Sequence, residues 1–340
     1  MPIRDRWQYI TCPDCLSIQE RNKTVKRLLI TILILHTFDH AKSESTFLRD
    51  SGYVSHYSIH QSVGNIKVDG HLDEYAWERA EQINGFKRIL NHYDKIQSPT
   101  RAKMLWDEKF LYVGFHCDDR EMWAVYENED DQLWEEEVVE IFIDPDGDGK
   151  NYLELEVSPT NTVVDLLIKS VEPEFKSDKD WDVVGLKTAV QLHGTVNDIS
   201  NDDWGWSVEI AIPWTAFVAM DLDGSPPKQG DSWRLNLYRI ERSAGHAARK
   251  ELLNMKDQSM AVGKEIERIW SDNNTDPGNH SVLPSPARIR LADLEQRSEI
   301  FNKANKNYGD LTEYTAWSET YKRGFHHPQR FGVVHFIEIP

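Results

Sequence analysis

Hydrophobic and polar residues alternate along much of the chain from about residue 59 onward. The alternation places Leu111, Val113, Phe115 and Cys117 on one face of a segment whose other face is more polar. A period of two residues is typical of a β-strand with one buried face. The pattern recurs, separated by Gly, Pro, Asn and Asp, at 102–106, 138–144, 152–157, 162–169, 186–193, 206–212 and 233–241. Many short strands with such turns predict an all-β protein, an antiparallel β-sandwich of jelly-roll-like type.

Helical patterns are few. The segment 72–82 opens with acidic residues, as helix N-termini often do, and a short turn follows Pro213. Between about 244 and 315 the alternation is lost and the sequence becomes charged and rich in Asn. This composition predicts an irregular insertion that carries some helix, before a final strand at 332–337. The predicted domain is 55–340, with helices as minor additions.

The start of the chain has the pattern of an export signal. Residues 28–35 read LLITILIL, directly after Lys26 and Arg27 and before a polar stretch. This order predicts a secretory signal near residues 25–42 and a secreted, periplasmic or cell-surface protein. Because about two dozen polar residues precede it, we expect translation to begin at Val25, with 1–45 as a leader. A short buried helix or strand is the alternative.

Composition and charge exclude several classes of partner. Asp and Glu outnumber Lys and Arg by 57 to 39, and the formal charge is -18. Such a surface repels phosphate backbones and anionic lipids, so no nucleic-acid partner is expected. No apolar run approaches the roughly 20 residues of a membrane span. The 12 Trp, 12 Tyr and 12 Phe suit both a β core and the apolar faces of sugar rings.

Several ordered motifs resemble family 9 carbohydrate-binding modules, which belong to the DOMON-like sandwich group. The resemblance covers about 64–257 and the tail FHHPQRFGVVHF. It implies a β-sandwich module, often attached to or encoded with xylanases and other glycoside hydrolases, that holds the end of a glycan between two Trp rings. The expected partners are an oligo- or polysaccharide and a glycoside hydrolase. The motifs are IKVDGHLDEYAW, LWDEKFLYVGFHCDD, LWEEEVVEIFIDPDGDG, GWSVEIAIPW and GDSWRLNLYRIER.

The resemblance also implies site residues. The first ring of the family's clamp lies six positions before the Glu of the V-E-I-F strand, which gives Trp134 and Glu140. The second ring lies in a late loop, matched by Trp270 and more loosely by Trp317. Sugar C–H groups pack on ring faces, and hydroxyls need carboxylate or amide partners at the edge. The alternatives are a rim residue for Trp134 and a solvent-facing strand residue for Glu140.

An acidic turn is a candidate metal site. Asp144, Asp146, Asp148 and Gly149 form DxDxDG, like the first half of a calcium loop, although Leu155 stands where a bidentate Glu is expected. The family resemblance likewise implies structural Ca²⁺. The alternative is a simple acidic hairpin turn.

Two other function classes stay open. A glycoside hydrolase needs two carboxylates across a cleft, and abundant acidic residues alone do not provide such a pair. A haem-binding DOMON-like protein needs axial Met or His ligands, for which Met104 and His116 are the candidates. Because no GxSxG, GxxxxGK or HExxH motif occurs, the sequence predicts no catalytic residues.

Overall fold

The computed structural model of the chain describes residues 53–89, 95–198, 200–242, 246–275, 277–310 and 312–338. The predicted leader and signal segment lie outside these described residues.

Within the described residues, thirteen strands form one curled sheet. Its order is β8-β7-β6-β5-β11-β13-β1-β3-β4-β10-β9, with β12 paired to β11 and to β2. The strands are β1 His56–Gln61, β2 Lys87–Arg88, β3 Thr100–Trp106, β4 Phe110–Asp118, β5 Val138–Asp144, β6 Tyr152–Val157, β7 Val163–Ser170, β8 Lys176–Asp178, β9 Lys187–His193, β10 Gly205–Pro213, β11 Ser232–Glu241, β12 Glu313–Ala316 and β13 Gly332–Ile337.

The all-β sandwich prediction is confirmed, and most neighbouring strands are antiparallel. β1 is the exception, because it pairs in parallel with both β13 and β3. The inward-facing side chains of β3, β4 and β10 meet those of β5, β6 and β11 in one apolar core. The alternation of Val113 and Phe115 on β4 with Ile141 and Ile143 on β5 supplies this core, as the period of two predicts.

The other face of β5 and β6 is also buried. Phe142, Tyr152 and Tyr238 form an outer aromatic layer that Phe325 and Phe331 cover from the C-terminal part of the chain. The ring of Tyr238 stacks on that of Phe325 with centroids 4.3 Å apart. Every residue of β5 and of β6 is therefore buried. Any polar side chain on the outer face of these strands is removed from water.

The segment predicted as an irregular insertion is largely helical in the structure. The short helix α1 spans Tyr75–Arg79, whereas α2 spans His246–Asp272 and α3 spans Ser285–Asp310. The two long helices pack against each other through one small apolar cluster, and the charged residues around it dilute the helical period in the sequence. The cluster contains Val262, Ile269, Trp270, Leu283, Leu291 and Leu294. Together with the half-buried Ile266, the α2 members Val262, Ile269 and Trp270 have the spacing of three and four residues of a narrow helix seam.

None of the described helices combines the length and apolar content that a membrane span requires. Cys117, predicted to lie in the core, is buried with 2% exposure. Burial raises the pKa of this thiol to about 12, so it stays protonated at neutral pH.

Candidate functional site

A short turn at one end of the sandwich carries Trp134. The 3₁₀ turn Leu133–Glu135 is separated from β5 by two residues, so the chain enters that strand four positions after Trp134. The indole is half-buried against the outer aromatic layer. Lys179 places its Nζ 5.6 Å from the ring centroid. The ring thus has a cation near it in addition to its packing against this layer.

The guanidinium of Arg242 holds the backbone of this turn through hydrogen bonds. Its Nη2 donates to the carbonyl oxygen of Trp134 at 3.1 Å, and its Nε donates to that of Glu136 at 3.2 Å. Its Nη1 donates to Thr312 Oγ1 at 2.8 Å. Because residues 242 and 312 flank the helical segment, a single buried guanidinium links both ends of that segment to the turn that presents Trp134.

Glu140 lies on the outer face of β5, buried with 1% exposure. It pairs across the sheet with Glu156 on β6, and Glu154 occupies the same face two residues earlier. One carboxylate oxygen from each of the three lies within 4.8 Å of those of the other two. We call these residues the outer acidic triad. The predicted solvent-facing alternative for Glu140 is wrong, because the outer aromatic layer covers this face.

Four oxygens of the outer acidic triad have no hydrogen-bond donor: Glu140 Oε1, Glu154 Oε2, and both oxygens of Glu156. Burial raises the pKa of Glu154 to about 8. Burial, and then the charges of Glu156 and Glu154, raise the pKa of Glu140 well above its usual range. Burial, and then the charge and hydrogen bond of Glu154, do the same for Glu156. In the absence of another ligand, these carboxyls therefore retain protons at neutral pH.

The groups that border the triad supply little positive charge. The Nε2 of His326 lies 3.7 Å from Glu154 Oε2, and its Nδ1 lies 2.7 Å from the hydroxyl of Tyr152. Burial lowers the pKa of His326 to about 4, so the imidazole is neutral at pH 7. The charge of Lys179 lowers the pKa of Glu154. Lys179 is therefore close to the indole of Trp134 and also influences the triad.

A second buried acidic cluster lies nearby, between the loop after β4 and the ends of β5 and β11. It contains Asp119, Glu137 and Glu241, and we call it the Arg239 cluster. The guanidinium of Arg239 donates from Nη2 to Asp119 Oδ2 at 3.0 Å and from Nη1 to the carbonyl oxygen of Asp118 at 2.8 Å. The cluster therefore contains its own cation.

The predicted calcium loop forms a tight turn after β5. Asp144 accepts hydrogen bonds from the backbone N–H of Gly147 at 3.1 Å and of Gly149 at 3.0 Å. Both glycines have positive φ, at 72° and 81°, as the turn requires. One carboxylate oxygen each of Asp144, Asp146 and Asp148 lies within 4.8 Å of the other two.

This donor set fits a hard cation in chemistry but not in number. Burial raises the pKa of Asp144 to about 6, and Asp146 and Asp148 are exposed. Leu155, at the position of the missing bidentate Glu, is fully buried in the core. Calcium would therefore need water or backbone oxygens to complete its six to eight ligands.

The other two predicted rings lie in apolar interiors. Trp270 is 7% exposed and packs between α2 and α3. Trp317 is also 7% exposed, and its indole meets the ring of Tyr57 edge-on at 6.4 Å inside the sandwich core. Neither burial fits a role in stacking on a sugar. Among these three Trp, the structure leaves only Trp134 with an accessible surface beyond the core.

One exposed ring was outside the predicted site. Trp204, just before β10, is 86% exposed. Its backbone N–H donates to the carbonyl oxygen of His193 at 2.9 Å, so the residue is anchored although its ring stands in solvent. The polar sequence of residues 201–204 is the feature from which the exposure of this ring could have been predicted.

The candidate haem ligands do not face each other. Met104 pairs with Val113 and is fully buried in the sandwich core. His116 lies on the opposite face of β4 from Val113. These two side chains cannot form an axial pair.

Comparisons with known proteins agree with the motifs. The family described as carbohydrate family 9 binding domain-like matches residues 68–274. Endo-1,4-beta-xylanase A of Thermotoga maritima is 32% identical over 91 residues, 27% of this chain and 8% of that protein. Exoglucanase XynX of Acetivibrio thermocellus is 26% identical over 158 residues, 46% of this chain and 12% of that protein. The matched segment is thus a small fraction of these relatives.

Two solved structures are similar. A protein of Bacteroides uniformis described as carbohydrate-binding has a TM-score of 0.52 at 14% identity, covering 84% of this chain and 100% of that one. A family 9 module of Caldicellulosiruptor kristjanssonii in complex with cellotriose has a TM-score of 0.46 at 14% identity, covering 84% and 95%. The first likeness supports the sandwich fold, and no argument rests on the second. Since the family match spans more than half of the sequence, this chain belongs to the carbohydrate family 9 binding domain-like proteins.

Proposed function

We propose that the domain binds an oligo- or polysaccharide at the Trp134 end of the sandwich and performs no chemistry itself. The observation that carries this proposal is a half-buried indole, fixed by Arg242, beside a sheet face whose carboxylates lack hydrogen-bond donors. Sugar C–H groups suit the ring face, and sugar hydroxyls are donors that carboxylates accept. Glu140 is the proposed acceptor nearest in sequence to the ring.

Lys179 is the group that a sugar would meet first. Its side chain is exposed, and its ammonium lies near the Trp134 ring. An exposed cation–π contact stabilises by only about 0.5–1 kcal/mol, so a stacked pyranose can replace it. Once displaced, the ammonium can donate to a sugar hydroxyl at the edge of the ring. Ligand entry also requires the outer layer beside His326 to open, because Glu140 is buried.

The proposed ligand class is a β-1,4-linked glucan or xylan fragment. Two relatives carry the names endo-1,4-beta-xylanase and exoglucanase. On this basis we also propose export of the protein and a supporting role for a glycoside hydrolase. Structural Ca²⁺ at Asp144, Asp146 and Asp148 belongs to the same proposal, supported by their three convergent carboxylates.

Calorimetric titration with cellotriose and xylotriose tests the binding site. Binding by the unaltered chain should weaken at least tenfold in Trp134→Ala, which corresponds to about 1.4 kcal/mol. Trp204→Ala is the matched control, because it removes an equally large ring that is exposed but lies outside the proposed site. Equal affinity in Trp134→Ala and the unaltered chain would remove the site. A reducing-sugar assay on the same mixtures checks the absence of hydrolysis.

A further inference from the structure

The outer acidic triad is an electrostatic anomaly of the described residues. Three carboxyl groups on adjacent strands each place one oxygen within 4.8 Å of the other two, at 1% exposure for Glu140, 6% for Glu154 and 0% for Glu156. No hydrogen bond from outside the triad reaches either oxygen of Glu156. An ionised carboxylate without a donor is costly to bury, so a ligand or retained protons must compensate the group.

The charges facing the triad do not balance it. Among the ion pairs of the described residues, only His326 approaches one of the three carboxyls, and that imidazole is neutral at pH 7. Lys179 influences Glu154 from the Trp134 side without forming an ion pair with it. From β11 the facing residue is Tyr238, opposite Glu140, which is also uncharged. The adjacent Arg239 cluster, by contrast, has its own guanidinium.

The geometry of the triad leaves room for a divalent cation among its oxygens. Because one oxygen from each residue lies within 4.8 Å of the other two, an ion among them need be no farther than about 2.8 Å from each. Calcium–oxygen distances are about 2.3–2.6 Å in flexible geometry, whereas Mg²⁺ requires about 2.0–2.1 Å and near-ideal octahedral geometry. We propose that Glu140, Glu154 and Glu156 hold a divalent cation, best matched by Ca²⁺, that crosslinks β5 and β6.

This site differs from the acidic loop after β5. Glu140 and Asp144 are separated by four residues of extended strand, about 13 Å, so one ion cannot serve both sets. The cation proposal does not depend on saccharide binding.

The test uses the full chain with the loop site disabled. In Asp146→Asn/Asp148→Asn protein freed of metal by chelation, calorimetric titration with CaCl₂ at pH 7.5 should give about one binding event per chain and a rise in melting temperature. MgCl₂ should bind at least tenfold more weakly. Adding Glu156→Gln should abolish the Ca²⁺ binding, because glutamine keeps the shape of the side chain but removes one ligating charge.

Far-UV circular dichroism establishes that each variant is folded, and Glu154→Gln is the second variant if Glu156→Gln does not fold. The proposal is overturned if the loop variant binds no Ca²⁺, or if it binds Ca²⁺ equally with and without the glutamate substitution. Trp134→Ala leaves these results unchanged, which separates a failure of the cation site from a failure of the saccharide site.

Discussion

Two buried acidic clusters lie close together in this domain and satisfy the same electrostatic requirement differently. The Arg239 cluster contains a guanidinium whose side chain is only 1% exposed. The N–H groups of this guanidinium donate to Asp119 and to the backbone carbonyl of Asp118. The outer acidic triad has only a neutral imidazole at 3.7 Å. The first cluster thus contains a permanent cation, whereas no such cation pairs with the second among the described residues. This difference identifies the triad, rather than the more numerous acidic residues of the surface, as the group of carboxyls that lacks a compensating cation.

The largest expected effect is the loss of the guanidinium. Arg239→Met should lower the free energy of unfolding by about 3–5 kcal/mol at pH 7, because it leaves buried carboxylates uncompensated. Arg101→Met is the matched control, since its pair with Asp118 is solvent-exposed and should contribute about 1 kcal/mol or less. Urea unfolding measures both. Similar losses in the two variants would contradict the distinction between the clusters.

The next effect is a pH dependence that arises from the triad in metal-free protein. The pKa of Glu154 is raised by burial to about 8, whereas an unfolded Glu titrates near 4.3. Between these values the folded state holds a proton that the unfolded state has lost, so stability falls as pH rises, by at most about 1.4 kcal/mol per pH unit. This contribution is fully present below pH 4 and lost above pH 8.

Glu154→Gln should reduce the dependence of the free energy of unfolding on pH by the contribution of about one proton. Glu127→Gln, at an exposed position, should leave this pH dependence unchanged. Glu137, whose pKa burial likewise raises to about 8, contributes a similar slope that persists in both variants. Chemical denaturation at intervals from pH 5 to pH 8.5 provides the data. An unaltered slope in Glu154→Gln would contradict the raised pKa of Glu154.

A smaller effect is expected from Arg242, which connects the Arg239 cluster to the turn that carries Trp134. Arg242 donates its backbone N–H to Glu137 Oε1 at 3.1 Å and its side chain to the Trp134 turn. Arg242→Met should cost about 1–3 kcal/mol of stability through the carbonyl groups it leaves without donors. It should also weaken binding of cellotriose. Arg242→Lys should restore part of the stability but less of the affinity, because an ammonium cannot span the same set of acceptors.

The smallest effect concerns the acidic loop. Without calcium, Asp148→Asn should change the free energy of unfolding by no more than about 0.5 kcal/mol, because the side chain is exposed. If Ca²⁺ binds there, millimolar calcium should raise the melting temperature of the unaltered chain, and this substitution should reduce that rise. A melting temperature unaffected by calcium and chelator would leave the loop as a turn.

Much of the sandwich could be predicted from the sequence, because alternation along β4, β5 and β10 directly encodes which side chains face the core. The burial of Glu140 could not. Its alternation with Val139 and Ile141 is the same for a solvated face and for one covered by another layer. The covering residues Phe325 and Phe331 lie more than 180 positions later, and no local pattern links them to β5.

The long helices were missed for a different reason. Val262, Ile266 and Ile269 have helical spacing, but this seam is narrow and surrounded by charge, so composition alone suggested irregular structure. For the same reason Trp270 looked like a loop residue, although it belongs to the seam. The role of Arg242 was equally hidden, since its side-chain partners come from residues 134, 136, 312 and 314.

The pairing of Glu241 with Glu313 brings the two ends of the helical segment together as opposite positions of one antiparallel ladder. β11 and β12 are therefore an antiparallel strand pair that is connected by a long helical segment instead of a short hairpin turn. The helical segment can become longer or shorter, or be replaced by another segment, without altering the register of the sheet. This attachment makes the segment between residues 242 and 312 the natural position for grafting a different module onto the sandwich.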